Sequence, residues 1–205
     1  MLANAITLSR LLFLALSVFL LHLPNATARL VAFFLIILTI LMDAIDGMVA
    51  RHRGSTGPLG AVLDIAIDRV VENVFWITFV SLELVPLWIA LVVVTRGILT
   101  DAVRGFALGQ GLSPFEMMRT SWGRWLVSKR FMRGLYGVAK ALTFPALALF
   151  HTANMAWTGT AQAVNLPALR TFVYVLIAVT IAMNLVRGIP VLIESRRFFR
   201  EESGR

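Results

Sequence analysis

Six stretches of mostly apolar residues, near 10–23, 30–50, 60–82, 85–103, 135–157 and 168–193, limit what this chain can fold into. Each is close to the roughly 20 residues a helix needs to cross the hydrocarbon of a bilayer. Apolar residues make up 59% of the chain and charged residues 15%. Soluble domains run at roughly 45–50% and 25%, so a bilayer is the expected solvent. The expected fold is an all-α integral membrane protein, a bundle of six transmembrane helices in one domain over 1–205, with both termini on one side. The first segment has a second reading: Leu11 to Leu21 is short, follows a lone Arg10 and precedes Ala26-Thr27-Ala28, which has the form of a signal-peptide cleavage site.

The basic residues orient the spans. With the N-terminus inside, only Arg29 and Arg170 of the 19 Lys and Arg lie near outer ends. Arg104, Arg119, Arg124, Lys129, Arg130 and Arg133 fall in one connection, and Arg196, Arg197, Arg200 and Arg205 in the tail. Both regions are expected to face the cytoplasm and its anionic membrane lipids, most simply at a bacterial inner membrane. The formal charge of +8 is not laid out as one continuous strip, so nucleic acid is not an expected partner. No cysteine is present, so any metal must be held by oxygen or histidine.

Against that apolar background stand Asp43, Asp46, Asp64 and Asp68, in the second and third segments. A carboxylate at the centre of a membrane helix costs roughly 2.5–3.5 kcal/mol even on the lenient insertion scale. At 100° per residue the first pair is about 60° apart around its helix and the second about 40°, so each pair shares a face. Counting outward from a turn between Ser55 and Thr56 puts Asp43 level with Asp68 and Asp46 with Asp64. Four converging carboxylates need protonation or bound cations, and Arg51 and Arg69 are too few and too peripheral. Oxygen-only ligands favour two Mg²⁺ or Mn²⁺ ions, which suits displacement at phosphorus. The plainer alternative is four partly exposed helix-end carboxylates paired with Arg51, Arg53 and Arg69.

Asp43-Ala-Ile-Asp46-Gly47-Met-Val-Ala50-Arg51, then eight residues, then Gly60-Ala-Val-Leu-Asp64-Ile-Ala-Ile-Asp68 resembles the signature of the CDP-alcohol phosphotransferase family. The resemblance implies that Asp43, Asp46 and Asp64 are core metal ligands. Asp68 completes the cluster and acts as the base that deprotonates an acceptor hydroxyl. It also implies that Gly47 and Gly60 let a nucleotide pyrophosphate approach the backbone and that Arg51 pairs with phosphate; close helix packing and a snorkelling Arg are the alternative. Where many members carry Ser or Thr three residues before the second glycine, this chain has Gly57, with the hydroxyl one place earlier at Thr56. The element Asn4-Ala-Ile-Thr7-Leu-Ser-Arg10 is also similar to the family's, and makes Asn4 a candidate cytidine contact beside an ordinary reading as a helix cap.

The acceptor is read elsewhere. Arg96 and Arg104 stand about 80° apart on one helix, and Lys140 lies about a turn into the fifth segment, giving three candidate phosphate ligands. Positive-inside anchoring and snorkelling explain the same residues without a ligand. With Ser121-Trp122-Gly123 between them they resemble the later half of the phosphatidylglycerophosphate synthases within the family. The implied reaction moves a phosphatidyl group from CDP-diacylglycerol to glycerol 3-phosphate, releasing CMP, and the resemblance also implies a homodimer. Inositol phosphate, serine or another polar alcohol is the close rival as acceptor. A divalent-cation transporter and a non-catalytic assembly protein are rivals of other classes.

Overall fold

The computed structural model describes the backbone of residues 2–53, 58–111, 125 and 130–202, and the side chains of 9–43, 60, 62–111, 125, 131, 132 and 134–196. Every apolar segment is a helix: α1 Leu2–His22, α2 Ala26–Arg53, α3 Pro58–Ser81, α4 Leu87–Gly109, α5 Arg130–Trp157 and α6 Leu166–Glu202, with a short 3-10 turn Ala161–Asn165 before α6. Among the described residues there is no strand.

Local chemistry sets the ends. Asn25 caps α2, its side-chain oxygen accepting from the Thr27 and Ala28 N–H groups at 2.8 and 3.3 Å, so Ala26-Thr27-Ala28 is the first turn of a helix. Pro58 opens α3, where its missing N–H costs nothing. Gly111 follows α4 with φ +76°, a left-handed conformation that glycine adopts without strain. Since α1 begins at Leu2, neither Asn4 nor Thr7 caps it. Continuous α6, at 37 residues, is about 55 Å long and carries the apolar stretch on into the basic tail.

Two stretches among the described residues are long and apolar enough to cross a membrane: Ala26–Asp43 and Ala161–Arg196, each of mean hydropathy 2.0. A shorter apolar run covers Ser9–His22. Charge interrupts α3 at Asp64, Asp68, Arg69 and Glu72 and α4 at Arg96, Asp101 and Arg104. Leu12, Phe19, Phe34, Leu41, Val62 and Ile65 are exposed on α1–α3, a surface suited to lipid.

The chain groups into two compact units, residues 1–90 with 141–175 and residues 91–140 with 176–205. In the first, α1 packs on α2 and α3. Phe144 of α5 sits among Phe75, Trp76 and Phe79 of α3, with ring centroids 5.2, 5.3 and 6.2 Å away. Tilted, edge-on and stacked aromatic contacts fill this helix interface. In the second unit Tyr136, Ala107, Val93 and Val191 are buried.

Candidate metal centre

In the first unit α2 and α3 bring Asp43, Asp64 and Asp68 together, each offering a carboxylate oxygen within 4.8 Å of the others. Asp64 and Asp68 are one turn apart on α3 and project from the same face, as the spacing predicts. Like charges at that distance repel by on the order of 3 kcal/mol per ionised pair at an effective dielectric constant near 20. Protonation or a cation among them must offset that repulsion.

One of the cations is the protein's own. Arg10 of α1 places Nη1 2.9 Å from Asp43 Oδ1 and 3.7 Å from Asp64 Oδ1, and its Nη2 donates to Asp68 Oδ1 at 2.7 Å. This corrects the expectation that the compensating charge near the cluster is limited to Arg51 and Arg69. The Arg69 Nη1 donates to the buried Glu72 at 3.1 Å. Asp43 and Asp68 share one guanidinium, in keeping with their equal depth. Four groups, three of them acidic, leave the cluster with a formal excess of two negative charges.

Burial divides these partners: the Arg10 side chain is 3% exposed, while Asp43, Asp64 and Asp68 are 43%, 49% and 44% exposed. The guanidinium is sunk in the protein and the carboxylates open outward. Oxygens on opposite sides of a Mg²⁺ ion stand about 4.2 Å apart, twice the usual bond length. A set of carboxylate oxygens within 4.8 Å of one another is close to that, and hard oxygen donors are the type Mg²⁺ and Mn²⁺ take. The cluster could hold a metal ion. Asp46, Gly47 and Arg51 lie in α2, Gly60 in α3 and Asn4 in α1. The side chains of Asn4, Asp46 and Arg51, and Thr56 altogether, fall outside the described residues.

The second unit holds the other candidates. Arg96 is buried on α4 against Gly188 of α6, where an added Cβ would stand 2.3 Å from its Nε and 2.7 Å from its Cγ. Arg104 is 3.9 Å from Asp101, an ion pair on its own helix. Lys140 lies about a turn into the fifth apolar segment and about three turns into α5, which begins at Arg130. Lys140 Nζ is 4.8 Å from the Tyr136 ring centroid, and Arg187 of α6 is 5.4 Å from the same ring. Asn184 Nδ2 donates to the Tyr136 hydroxyl at 2.7 Å. Sequence reasoning missed Arg10, Arg187 and Tyr136, although Arg10 and Arg187 each stand as isolated charges in apolar runs. His22 and His151 serve packing, with ring nitrogens 2.8 Å from Val18 O and 3.2 Å from Leu21 O.

Named relatives match part of this chain. Archaetidylinositol phosphate synthase of Aeropyrum pernix is 35% identical over 78 residues, 38% of this chain and 40% of that protein. The probable phosphatidylglycerophosphate synthase of Mycobacterium tuberculosis, in two strains, is 30% identical over 127 residues, 60% of this chain and 57% of the relative. The matches thus span about half the length of these relatives. A family model, CDP-alcohol phosphatidyltransferase, matches residues 1–193, a range that takes in the aspartate hairpin, Arg10 and the cationic residues of the second unit. With Asp43, Asp64 and Asp68 of its signature brought together from α2 and α3, the chain belongs to the CDP-alcohol phosphatidyltransferase family.

Proposed function

We propose that this chain transfers a phosphatidyl group from CDP-diacylglycerol to glycerol 3-phosphate, giving phosphatidylglycerol phosphate and CMP. The observation that carries the reading is the convergence of Asp43, Asp64 and Asp68, half-exposed, around one guanidinium. Asp43, Asp46, Asp64 and Asp68 would hold two divalent ions, Mg²⁺ or Mn²⁺, with Asp68 also serving as the base. When bound, the ions neutralise charge on the pyrophosphate and the departing CMP. Asp68 takes the proton of the acceptor hydroxyl. The oxygen then bonds to the phosphorus that bears diacylglycerol, and the bond to the CMP oxygen breaks, its electron pair leaving with CMP. Asn4, Gly47, Arg51, Thr56 and Gly60 position the CDP portion.

Arg96, Arg104 and Lys140 bind the acceptor's phosphate in this reading. Support comes from the second unit, where Lys140 and Arg187 flank Tyr136 and Gly188 leaves room for the Arg96 side chain. The mycobacterial relative's name favours glycerol 3-phosphate, and the archaeal one keeps inositol phosphate as the second reading. An ion-transport role needs carboxylates spread through the membrane depth; Asp43, Asp64 and Asp68 instead gather on one guanidinium. The six helices act as six spans, with both termini and the site on the cytoplasmic side, in a homodimer. Purified protein given CDP-diacylglycerol, Mg²⁺ or Mn²⁺ and each alcohol in turn is expected to release CMP with glycerol 3-phosphate. Release with inositol phosphate instead transfers the assignment to that acceptor.

A further inference from the structure

Arg10 touches one oxygen on each of three carboxylates and reaches them from a third helix. Its residue exposure is 2%, and its Nε has no hydrogen-bond partner among the described residues. A guanidinium so deeply placed cannot simply swing into water, and the cluster is the anionic partner the structure gives it. A divalent ion entering the cluster must draw on the same three carboxylates. Two cations that draw on the same carboxylates are linked, each weakening the other's hold by the same factor.

We infer that Arg10 is a positioning residue: an internal counter-cation that holds Asp43, Asp64 and Asp68 face to face in the metal-free chain and gives up their oxygens as the metal enters. This rests on reading the cluster as a metal centre. A purely structural Arg10, tying α1 to the α2–α3 hairpin, would only lower metal affinity when removed, because the carboxylates would drift apart. A competing Arg10 raises affinity when removed, because the oxygens are released. The sign of the change separates the two.

The test is Mn²⁺ binding to the full chain in detergent, followed by the electron paramagnetic resonance of free Mn²⁺, together with melting in EDTA and in saturating Mn²⁺. Arg10→Gln is expected to bind Mn²⁺ roughly 5- to 150-fold more tightly than wild type, the usual range for linked sites. In EDTA its melting temperature falls below wild type, and saturating Mn²⁺ narrows the gap. Arg10→Lys keeps the charge but replaces the fork with a single ammonium group, and its affinity is expected between the two. Equal or weaker binding by Arg10→Gln overturns the inference. If that variant does not survive purification, Arg10→Lys decides, and binding no tighter than wild type overturns it. Wild type that binds no Mn²⁺ removes the metal centre itself, and this inference with it, a result distinct from either variant outcome.

Discussion

Asp68 combines a 2.7 Å hydrogen bond from Arg10 with a side chain 44% exposed. The exposure leaves it open to a substrate hydroxyl, as a base must be. Asp68→Asn is expected to lower CMP release by about 10²–10⁴-fold, the usual worth of a positioned base. The variant should elute and melt as a folded protein; turnover near wild type would assign the base elsewhere. The convergence of Asp43, Asp64 and Asp68 was legible in the sequence because their spacing follows the helical repeat and matches a family signature. Arg10 was visible only as an odd charge before an apolar run, since its partner Asp68 lies 58 positions along the chain.

At the scale of helices, two contacts depend on residue size. Phe144 fills the space between Phe75, Trp76 and Phe79 in the first unit. In the second, Gly188 of α6 admits the Arg96 side chain, and a methyl group there would collide with its Cγ as well as its Nε. The guanidinium end can turn aside, but Cγ is too near the backbone to do so cheaply, so Gly188→Ala must shift Arg96 or part the helices. The expected result is a KM for glycerol 3-phosphate raised about tenfold or more, on the scale of one charge-assisted hydrogen bond, with the KM for CDP-diacylglycerol little changed. Steady-state CMP release against each substrate checks it, and an unchanged acceptor KM would detach Arg96 from the phosphate. No periodicity in the sequence pairs residue 188 with residue 96.

For the molecule as a whole, the distribution of charge sets the expected orientation, and the absence of cysteine makes it measurable. Asn165 stands exposed in the turn between α5 and α6, and Arg196 stands exposed near the end of α6. In inverted-free, sealed cells, Asn165→Cys is expected to react with a membrane-impermeant maleimide from outside. Arg196→Cys should react only after the cells are opened. The reverse pattern would place the basic tail outside and overturn the cytoplasmic assignment. The apolar stretch of α2 ends at Asp43, where the cluster begins, whereas α3 and α4 carry the charged residues of the candidate sites within their length. Function thus dilutes the hydropathy of the helices that bear it.

By itself the amino-acid order determined the helices and the aspartate faces. Hydrophobic length, proline and asparagine at helix starts, and a repeat of 3.6 residues are local properties that need no partner. Tertiary structure alone decided which charge meets the carboxylates, which ring lies between Lys140 and Arg187, and which glycine makes room for Arg96. Those outcomes depend on how one helix is turned and set against another, and side-chain packing across separate segments leaves no periodic trace in any one of them.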